Sequence, residues 1–353
     1  MRPKSFRRCF LGKIIKIFLN QGFTPINQSV FKLGTTINFN CYIKRFNGFV
    51  ILIEKGTLLD KKIYQKITNN TLQIYVENTS YKKYKNYSLR HQNSDNITVE
   101  EIKNLTLDGE IDYCKNIKKI LLTQNNTNEK LKTIYTSGKN LLNAWILKKE
   151  EKFIPLEALD ILVENLVEIV NKESVTLSTF NDFLDETYSL ATHLVKVSFF
   201  TAIIANDIEL DVSDQKYVSL AAILHDVGKC DLDESLLDKP DFLTEAEYKQ
   251  IKEHSEASVK LVKRSGLKDR RMLNTIREHH ERLDGSGYPR ALTAKHIGQF
   301  GKIVAVCDVF DALITKKPYR GAYNTFNASA LLRDEYKNKL DSEYIHVLIK
   351  NLK

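Results

Sequence analysis

Residues 279–289 read HHERLDGSGYP, two adjacent histidines followed by a glycine-rich turn. The apolar spacing predicts a helix over residues 273–282, so both imidazoles lie near its carboxyl end. A second predicted helix, over residues 216–225, ends in a similar way on the sequence HDVGK at residues 225–229. One histidine on a helix is usually an ordinary core or surface residue. His-His and His-Asp pairs that both end apolar helices instead indicate a metal site.

Further candidate ligands lie on other predicted helices in the same half of the chain. His193 lies on a helix predicted over residues 188–206, and His254 lies midway along one predicted over residues 244–264. Asp308 follows the apolar run Ile-Val-Ala-Val-Cys. Imidazole and carboxylate together suit iron, manganese, zinc and similar first-row cations. Because an aspartate has two oxygens, one such residue can bridge two cations while histidines complete each shell.

The amino-terminal half of the chain shows a different apolar period. Over residues 23–87 the apolar residues form short runs rich in Ile, Val, Phe and Tyr. These runs predict strands at 37–43, 49–54 and 72–76. A short helix is predicted over residues 60–68, between the second and third runs.

The predicted fold class is mainly α, with three segments along the chain. A basic segment at residues 1–22 precedes a small β-rich (α+β) module and its linker at residues 23–130. An all-helical domain with its leading helix follows at residues 131–353, and Pro155 opens another of its helices. A chain of 353 residues is long enough for two such units.

Composition and charge exclude several other classes of protein. With 42% hydrophobic and 27% charged residues, the chain resembles a soluble globular protein. No run approaches the roughly 18–20 apolar residues that span a bilayer. The basic start lacks a cleavage site, so no secretory signal is expected, although binding of this start to a membrane surface stays open. Five scattered cysteines indicate reduced thiols and a cytoplasmic location. The net charge of +9 is spread over Lys- and Asn-rich stretches, which favours a solvated surface over a nucleic-acid site.

The two histidine motifs resemble those of a known enzyme family. The sequence at residues 225–229 is similar to the HD-x-G-K signature of the HD superfamily of phosphohydrolases. Residues 279–289 match the HHE-x-x-DG-x-GYP signature of the HD-GYP family. Segments 306–313 and 317–320 also resemble the family, so the similarity covers roughly residues 180–325. It implies the helical HD fold and hydrolysis of cyclic di-GMP to linear pGpG, with GMP as the product of a second cut. The β-rich module resembles, more weakly, a regulatory module attached to many such proteins.

The resemblance also implies a set of metal ligands. Seven residues match the family's ligand positions: His193, His225, Asp226, His254, His279, His280 and Asp308. Asp226 would bridge two divalent ions, iron or manganese, and a hydroxide held between two cations forms near neutral pH. Asp226 and Lys229 are thus the implied catalytic residues, Lys229 stabilising the phosphate or protonating the leaving 3′-oxygen.

Substrate contacts are implied for the glycine-rich turn and for a later basic segment. Tyr288 would stack on guanine or bond to phosphate, and Gly285 and Gly287 would present backbone amides in a tight turn. Lys317 and Arg320 match family positions that contact the ligand's phosphates. Cyclic di-GMP is the expected partner, whereas nucleic acid and a transmembrane segment are not expected. A homodimer and signalling-protein partners stay open.

One position departs from the family and bears on the number of metals. Some members have a glutamate four residues before the first histidine that helps to hold a third metal, whereas this chain has Ser189. On a continuous helix this residue would face the same way as His193, and a serine hydroxyl is a weak ligand. Two metals, with pGpG as the main product, are therefore expected.

Two other functions remain open. A cyclic di-GMP receptor or signalling adaptor would use the same site with slow or no turnover. An HD-type nuclease or nucleotidase would be supported by the basic charge and by the G-x-x-G string at residues 298–301. That string lacks flanking basic residues.

Overall fold

The computed structural model describes the chain in ranges. They are residues 5–10, 13–19, 22–26, 30–45, 48–68, 73–84, 87, 107–147, 153–180, 188–233, 236, 239, 243–316 and 321–352. In the first two ranges the description covers the backbone. The chain divides into two compact units, Met1–Asn116 and Ile117–Lys353. The domain limits inferred above from the sequence stay a proposal.

The first unit is built around an antiparallel sheet. In the described residues this sheet has six strands in the order β1-β2-β5-β4-β6-β3. The strands and the accompanying helix are β1 (Ser5–Phe10), β2 (Lys13–Leu19), β3 (Phe23–Ile26), β4 (Cys41–Arg45), β5 (Gly48–Ile53), α1 (Lys61–Thr68) and β6 (Ile74–Glu77). β-branched and aromatic residues are frequent in these strands, because they suit a pleated, half-buried surface.

The basic start of the chain takes part in this sheet. β1 pairs with β2, and β2 pairs with β5, both in antiparallel register. The buried core of the unit includes Phe31, Phe39, Leu59, Ile67 and Ile74. Within the ranges given above, no helix is long and apolar enough to cross a membrane.

The strand and helix predictions for this unit are confirmed with shifted ends. α1 lies within its predicted range, β5 begins one residue before its predicted range, and β6 covers most of the third predicted strand. β4 begins at Cys41 and not at Ile37, because Ile37 bonds to a turn instead. Its amide donates to Thr57 O and its carbonyl accepts from Gly56 N.

The second unit is helical. Its helices are α2 (Leu107–Leu121, which begins in the first unit), α3 (Thr127–Leu147), α4 (Leu156–Lys172), α5 (Leu190–Asp207), α6 (Val212–Leu224), α7 (Glu245–Lys252), α8 (His254–Arg264), α9 (Arg270–Glu278), α10 (Gln299–Ile314), α11 (Thr325–Glu335) and α12 (Ser342–Lys350). A 3₁₀ helix, Val227–Asp231, follows α6. The predicted mainly α architecture is confirmed.

One predicted helix is two in the structure. The helix predicted over residues 244–264 breaks at Glu253, whose amide bonds back to Gln250 O and Ile251 O in a tight turn. The prediction that His254 lies midway along a helix is therefore wrong, since His254 begins α8. Thr244 starts the first of the two helices with a capping box, in which its hydroxyl accepts the amide of Glu247.

Helices α5 and α10 form the centre of this unit. Every residue of α5 from Ala191 to Ala205 is buried, and α10 is buried along most of its length. A helix that is apolar on all sides is typical of a buried position. The two helices pack against each other, with the rings of Phe200 and Phe310 5.4 Å apart. Polar residues on these helices are therefore held in a rigid, water-poor setting.

Candidate metal centre

The predicted ligands converge on one place. In the described part of the chain their donor atoms form two groups, each within 4.8 Å, and Asp226 belongs to both. The first group is His193, His225, Asp226 and Asp308, and the second is Asp226, His254, His279 and His280. All seven are buried or nearly so. They come from five separate elements, so the tertiary fold assembles the cluster.

The Asp226 carboxylate lies between the two groups and is fully buried. Its Oδ2 is 3.3 Å from His193 Nε2 and 3.4 Å from His225 Nε2. Its Oδ1 is 2.9 Å from His254 Nε2 and 3.4 Å from His279 Nε2. One oxygen thus faces each group, which is the geometry that a bridging carboxylate requires.

Three histidines are oriented by their own backbone. The Nδ1 atoms of His225, His254 and His279 each lie 2.6 Å from the carbonyl oxygen of the residue three positions earlier. An Nδ1 that donates to a carbonyl leaves Nε2 without a proton, which is the tautomer that binds a metal through Nε2. The main chain therefore fixes both the ring orientation and the donor atom.

The fourth ring is held by side chains. His193 Nδ1 lies 2.7 Å from Asp311 Oδ2. Asp311 Oδ1 in turn accepts from Thr315 Oγ1 at 3.1 Å and lies 3.4 Å from the Lys196 ammonium. All of these side chains are buried. Sequence analysis assigned no role to Asp311 or Lys196, although each lies three residues after a ligand on an apolar helix.

The donor set fits bound cations. The Nε2 atoms of His193 and His225 are 3.2 Å apart, and those of His254 and His279 are 3.3 Å apart. Lone pairs that face one another across a buried carboxylate are costly unless a positive charge lies between them. In the described residues, two buried atoms at this point, Asp226 Oδ1 and His280 Nε2, make no hydrogen bond. The cluster can therefore bind metal.

The electrostatics of the centre favour an ionised Asp226 carboxylate and uncharged imidazoles at His279 and His280. Burial acts to raise the pKa of Asp226, but Lys229 and the neighbouring imidazoles outweigh it and hold that pKa well below its usual range. Burial lowers the pKa of His279 to about 4 and, together with His279, lowers that of His280 well below its usual range. At neutral pH both imidazoles are thus uncharged, and each has a nitrogen lone pair that can bind a metal.

Lys229 lies directly beside the bridging carboxylate. Its ammonium forms an ion pair with Asp226 Oδ2. α6 ends before the motif, so Lys229 approaches from the 3₁₀ helix and not from the same α-helix. A Cβ on Gly228 would lie 2.5 Å from both His254 O and Ser258 N, so only glycine lets this segment pack against α8. The Gly228 amide donates to Ser258 Oγ at 2.9 Å.

The glycine-rich turn packs tightly behind the histidine pair. A Cβ on Gly287 would lie 2.4 Å from backbone atoms of Glu281 and Arg282, and Gly285 has a φ of +80° that favours glycine. Several amides of the turn are already bonded: Gly285 N to Arg282 O, Ser286 N to Asp284 Oδ1 and Tyr288 N to His280 O. Substrate binding by the two glycines stays a prediction.

Tyr288 lies next to the second ligand group. Its ring centroid is 4.6 Å from that of His280 and 6.2 Å from that of His254. Its predicted substrate contact stays a prediction. Lys317 and Arg320 lie outside the described residues.

Two buried glutamates, for which no role was predicted from the sequence, stabilise this loop through hydrogen bonds. Glu281 accepts the amides of Arg290 and Leu292, at 2.7 and 2.8 Å. Glu278 accepts the Gly298 amide at 2.8 Å and the Arg290 guanidinium at 2.7 Å. Both glutamates are buried, and their carboxylates tie the segment after the turn to the end of α9.

Ser189 lies at the start of the helix that carries His193. It is the N-cap of α5, and its hydroxyl accepts the Thr192 amide at 3.1 Å. The Thr192 hydroxyl bonds back to the Ser189 amide at 2.9 Å, which completes a capping box. The hydroxyl is thus engaged at the start of α5, and the expectation that Ser189 faces the metal cleft stays a prediction.

A cavity of about 460 Å³ opens onto the cluster. His193, Lys229, His280 and Asp308 form its polar floor. The cavity thus gives a small molecule access to both ligand groups and to the Lys229 ammonium.

Comparisons with known proteins agree with this arrangement. Residues 166–344 match the family model of the HD domain. The chain is 33% identical over 163 residues to "3'3'-cGAMP-specific phosphodiesterase 3" of Vibrio cholerae, covering 46% of this chain and 35% of that protein. It is 31% identical over 212 residues to "Cyclic di-GMP phosphodiesterase response regulator RpfG" of Xanthomonas campestris, covering 58% and 55%. It is 34% identical over 177 residues to "Cyclic di-GMP phosphodiesterase" of Thermotoga maritima, covering 50% and 45%.

A solved structure shares the fold. Bd1817, an HDG"Y"P protein from Bdellovibrio bacteriovorus, is 18% identical with a TM-score of 0.56, covering 93% of this chain and 98% of that one. The chain spans between about a third and about half the length of the three curated relatives described above. The family model covers half of this chain and includes every predicted metal ligand. The chain belongs to the HD domain family.

Proposed function

We propose that this protein hydrolyses a phosphodiester bond of cyclic di-GMP and releases linear pGpG, with slower cleavage on to GMP. The observation that carries the proposal is the Asp226 carboxylate, shared by two ligand groups beside Lys229 at the floor of a cavity. The cavity volume lies in the range of small-molecule sites. The names of two of the relatives described above, which contain cyclic di-GMP phosphodiesterase, support the same substrate.

Two divalent cations, iron or manganese, are the proposed cofactors. One cation would be held by His193, His225 and Asp308, and the other by His254, His279 and His280. Asp226 would bind both cations. When bound, such a pair supplies a water-derived nucleophile near neutral pH and neutralises phosphate charge. Mixed imidazole and carboxylate donors suit these metals.

The chain's own residues bind and orient the substrate. Lys229 places a positive charge beside Asp226, where it can bind a phosphate oxygen and protonate the leaving 3′-oxygen. The Tyr288 ring beside His280 is proposed to contact the substrate, and so are Gly285, Gly287, Lys317 and Arg320. A cytoplasmic location, a homodimer and signalling-protein partners also stay predictions.

A second substrate has support from one specific observation. One of the relatives described above is named as a 3′,3′-cGAMP-specific phosphodiesterase. That molecule shares the ring and both phosphodiester bonds of cyclic di-GMP and differs in one base. The metal centre acts on the phosphate, which the two molecules share. Residues that contact the bases must therefore distinguish cyclic di-GMP from 3′,3′-cGAMP.

The test is turnover by the purified protein loaded with iron or manganese. Cyclic di-GMP and 3′,3′-cGAMP are supplied separately, and the products are separated by chromatography. We expect pGpG to accumulate before GMP. Tight binding of cyclic di-GMP without turnover would instead indicate a receptor.

A further inference from the structure

The wall of the cavity above the metal centre differs in character from its floor. Val309, Ala312 and Leu313 line it from one face of α10, at the spacing of three and four residues that neighbouring positions on a helix have. Tyr188 and Tyr336 add two aromatic rings. An apolar and aromatic wall suits a flat base and not a second phosphate, which would lose its hydration there.

Arg282 adds a cationic side chain to the part of this wall that the structure describes. Its Nη1 donates to the carbonyl oxygens of His279 and Glu281, at 3.1 and 2.8 Å. Both acceptors belong to the segment that carries the histidine pair, so the guanidinium has a fixed position relative to the metal ligands. In the described residues its Nε and Nη2 make no hydrogen bond, and no carboxylate lies within 4.0 Å of it. Arg282 therefore has donors to offer to a bound molecule.

Purine bases differ in what they present to such a donor. Guanine has two adjacent acceptors, O6 and N7, which match the fork of an arginine. Adenine has the N7 acceptor but an amino group in place of O6, so one arginine N–H would meet another donor. An arginine held in place loses less entropy on binding than a free one, which strengthens the discrimination.

We infer that this cavity is a guanine pocket and that Arg282 selects guanine over adenine by bonding to O6 and N7. The inference rests on the proposed function and adds the specificity residue to it. The metal centre cuts the phosphodiester, while Arg282 determines which base lies beside the bond that is cut. Arg282 lies within the motif at residues 279–289, and no role for it was predicted from the sequence.

The first experiment measures kcat/KM for cyclic di-GMP, 3′,3′-cGAMP and cyclic di-AMP in metal-loaded wild-type protein and in Arg282→Gln and Arg282→Lys. We expect the ratio of cyclic di-GMP to cyclic di-AMP to fall about tenfold or more in Arg282→Gln, because glutamine suits adenine N6 and N7. Arg282→Lys keeps the charge without the fork, so its ratio should also fall. Arg333→Gln, an exposed arginine that pairs with Asp334, is the matched control and should keep the wild-type ratio.

Ratios within twofold of wild type in both Arg282 variants would overturn the inference. Metal content is measured in each variant, because Arg282 also bonds the backbone of the histidine segment. If metal is lost in both variants, the second experiment decides.

That second experiment leaves Arg282 in place. It compares GMP and AMP as inhibitors of the hydrolysis of bis(4-nitrophenyl) phosphate, a small substrate with no base. Wild-type protein should be inhibited more strongly by GMP than by AMP. Ala312→Trp fills the wall and should weaken inhibition by GMP about tenfold relative to inhibition by inorganic phosphate. Equal inhibition by GMP and AMP, or unchanged inhibition by GMP in Ala312→Trp, would overturn the guanine pocket.

The same measurements separate this inference from the proposed function. Wild-type protein that hydrolyses bis(4-nitrophenyl) phosphate but none of the three cyclic dinucleotides would contradict the proposed function. The preference for GMP over AMP would then still decide whether the cavity binds guanine.

Discussion

The two halves of the metal centre differ in how one histidine is held, because His193 lacks the backbone bond that orients His225, His254 and His279. In the half built from His254 and His279, each ring is oriented by a carbonyl of its own backbone, three residues earlier. In the half built from His193 and His225, the first ring depends on the buried side chain of Asp311. Backbone carbonyls persist through any substitution that keeps the helix, whereas a side-chain partner can be removed by one mutation. The halves should therefore respond differently to mutation, although they share Asp226.

The largest effect is expected where the two halves meet. Asp226→Ala should remove metal from both halves and abolish hydrolysis, because each carboxylate oxygen faces one ligand group. The loss should exceed the roughly 10–100-fold that removal of an outer-shell partner costs. Metal analysis and turnover of the purified variant measure it, with the exposed Asp334→Ala as control. Undiminished metal in Asp226→Ala would contradict the bridging assignment.

Lys229 tests the centre without the replacement of a metal ligand. Lys229→Ala should keep its metal but slow hydrolysis by about 100-fold or more, the usual scale for a positioned acid–base group. Single-turnover rates together with metal content give the answer. Lys260→Ala, an exposed lysine of α8, should retain the wild-type rate. If Lys229→Ala also kept that rate, its ammonium would be only a structural partner of Asp226.

Asp311 sharpens the comparison between the halves. Asp311→Asn should weaken metal binding in the His193 half by about 10–100-fold, while the other half keeps its ion. Titration with metal should then show one strong and one weakened site per chain. Ile276→Val is the matched change in the other half, since it leaves the carbonyl that holds His279. Two equally weakened sites in Asp311→Asn would mean that the halves are not independent. Thermal unfolding is measured in parallel, because the asparagine leaves Lys196 without its carboxylate partner.

The smallest effect is expected at Ser189, outside both halves. Ser189→Ala removes an N-cap, which costs about 1 kcal/mol and lowers the melting temperature by about 2–4 °C. Metal content should stay at two ions per chain, since the hydroxyl bonds to Thr192 and not to the cluster. Loss of metal in this variant would place Ser189 among the ligands after all.

Four of the predicted ligands, His225, Asp226, His279 and His280, could be recognised from the sequence because their chemistry is visible in two short motifs. Histidine and aspartate pairs at the ends of apolar helices are rare in ordinary cores, so their positions could be read without knowledge of the fold. The roles of Ser189 and His254 were harder to predict, because each depends on where a helix begins. Helix ends are uncertain by one or two residues when they are predicted from sequence.

Other residues were missed because their partners lie far away in the sequence. Asp311 bonds His193 across 118 residues. One local signal was available, since a buried carboxylate on a uniformly apolar helix needs a partner. Arg282 gave no such signal. Its proposed role follows from the cavity that it lines together with residues of α10, which lie far from it in the sequence.

The bond that three of the rings make to the carbonyl three residues earlier affects which substitutions this protein can tolerate. Three of the imidazoles, at residues 225, 254 and 279, take their direction from the chain segment on which they lie. Substitutions among the surrounding apolar side chains can then accumulate without rotating those rings, provided that each helix end keeps its place. Each of these three rings keeps its orientation from its own segment, so the side chains that pack between the segments can be substituted without loss of that orientation.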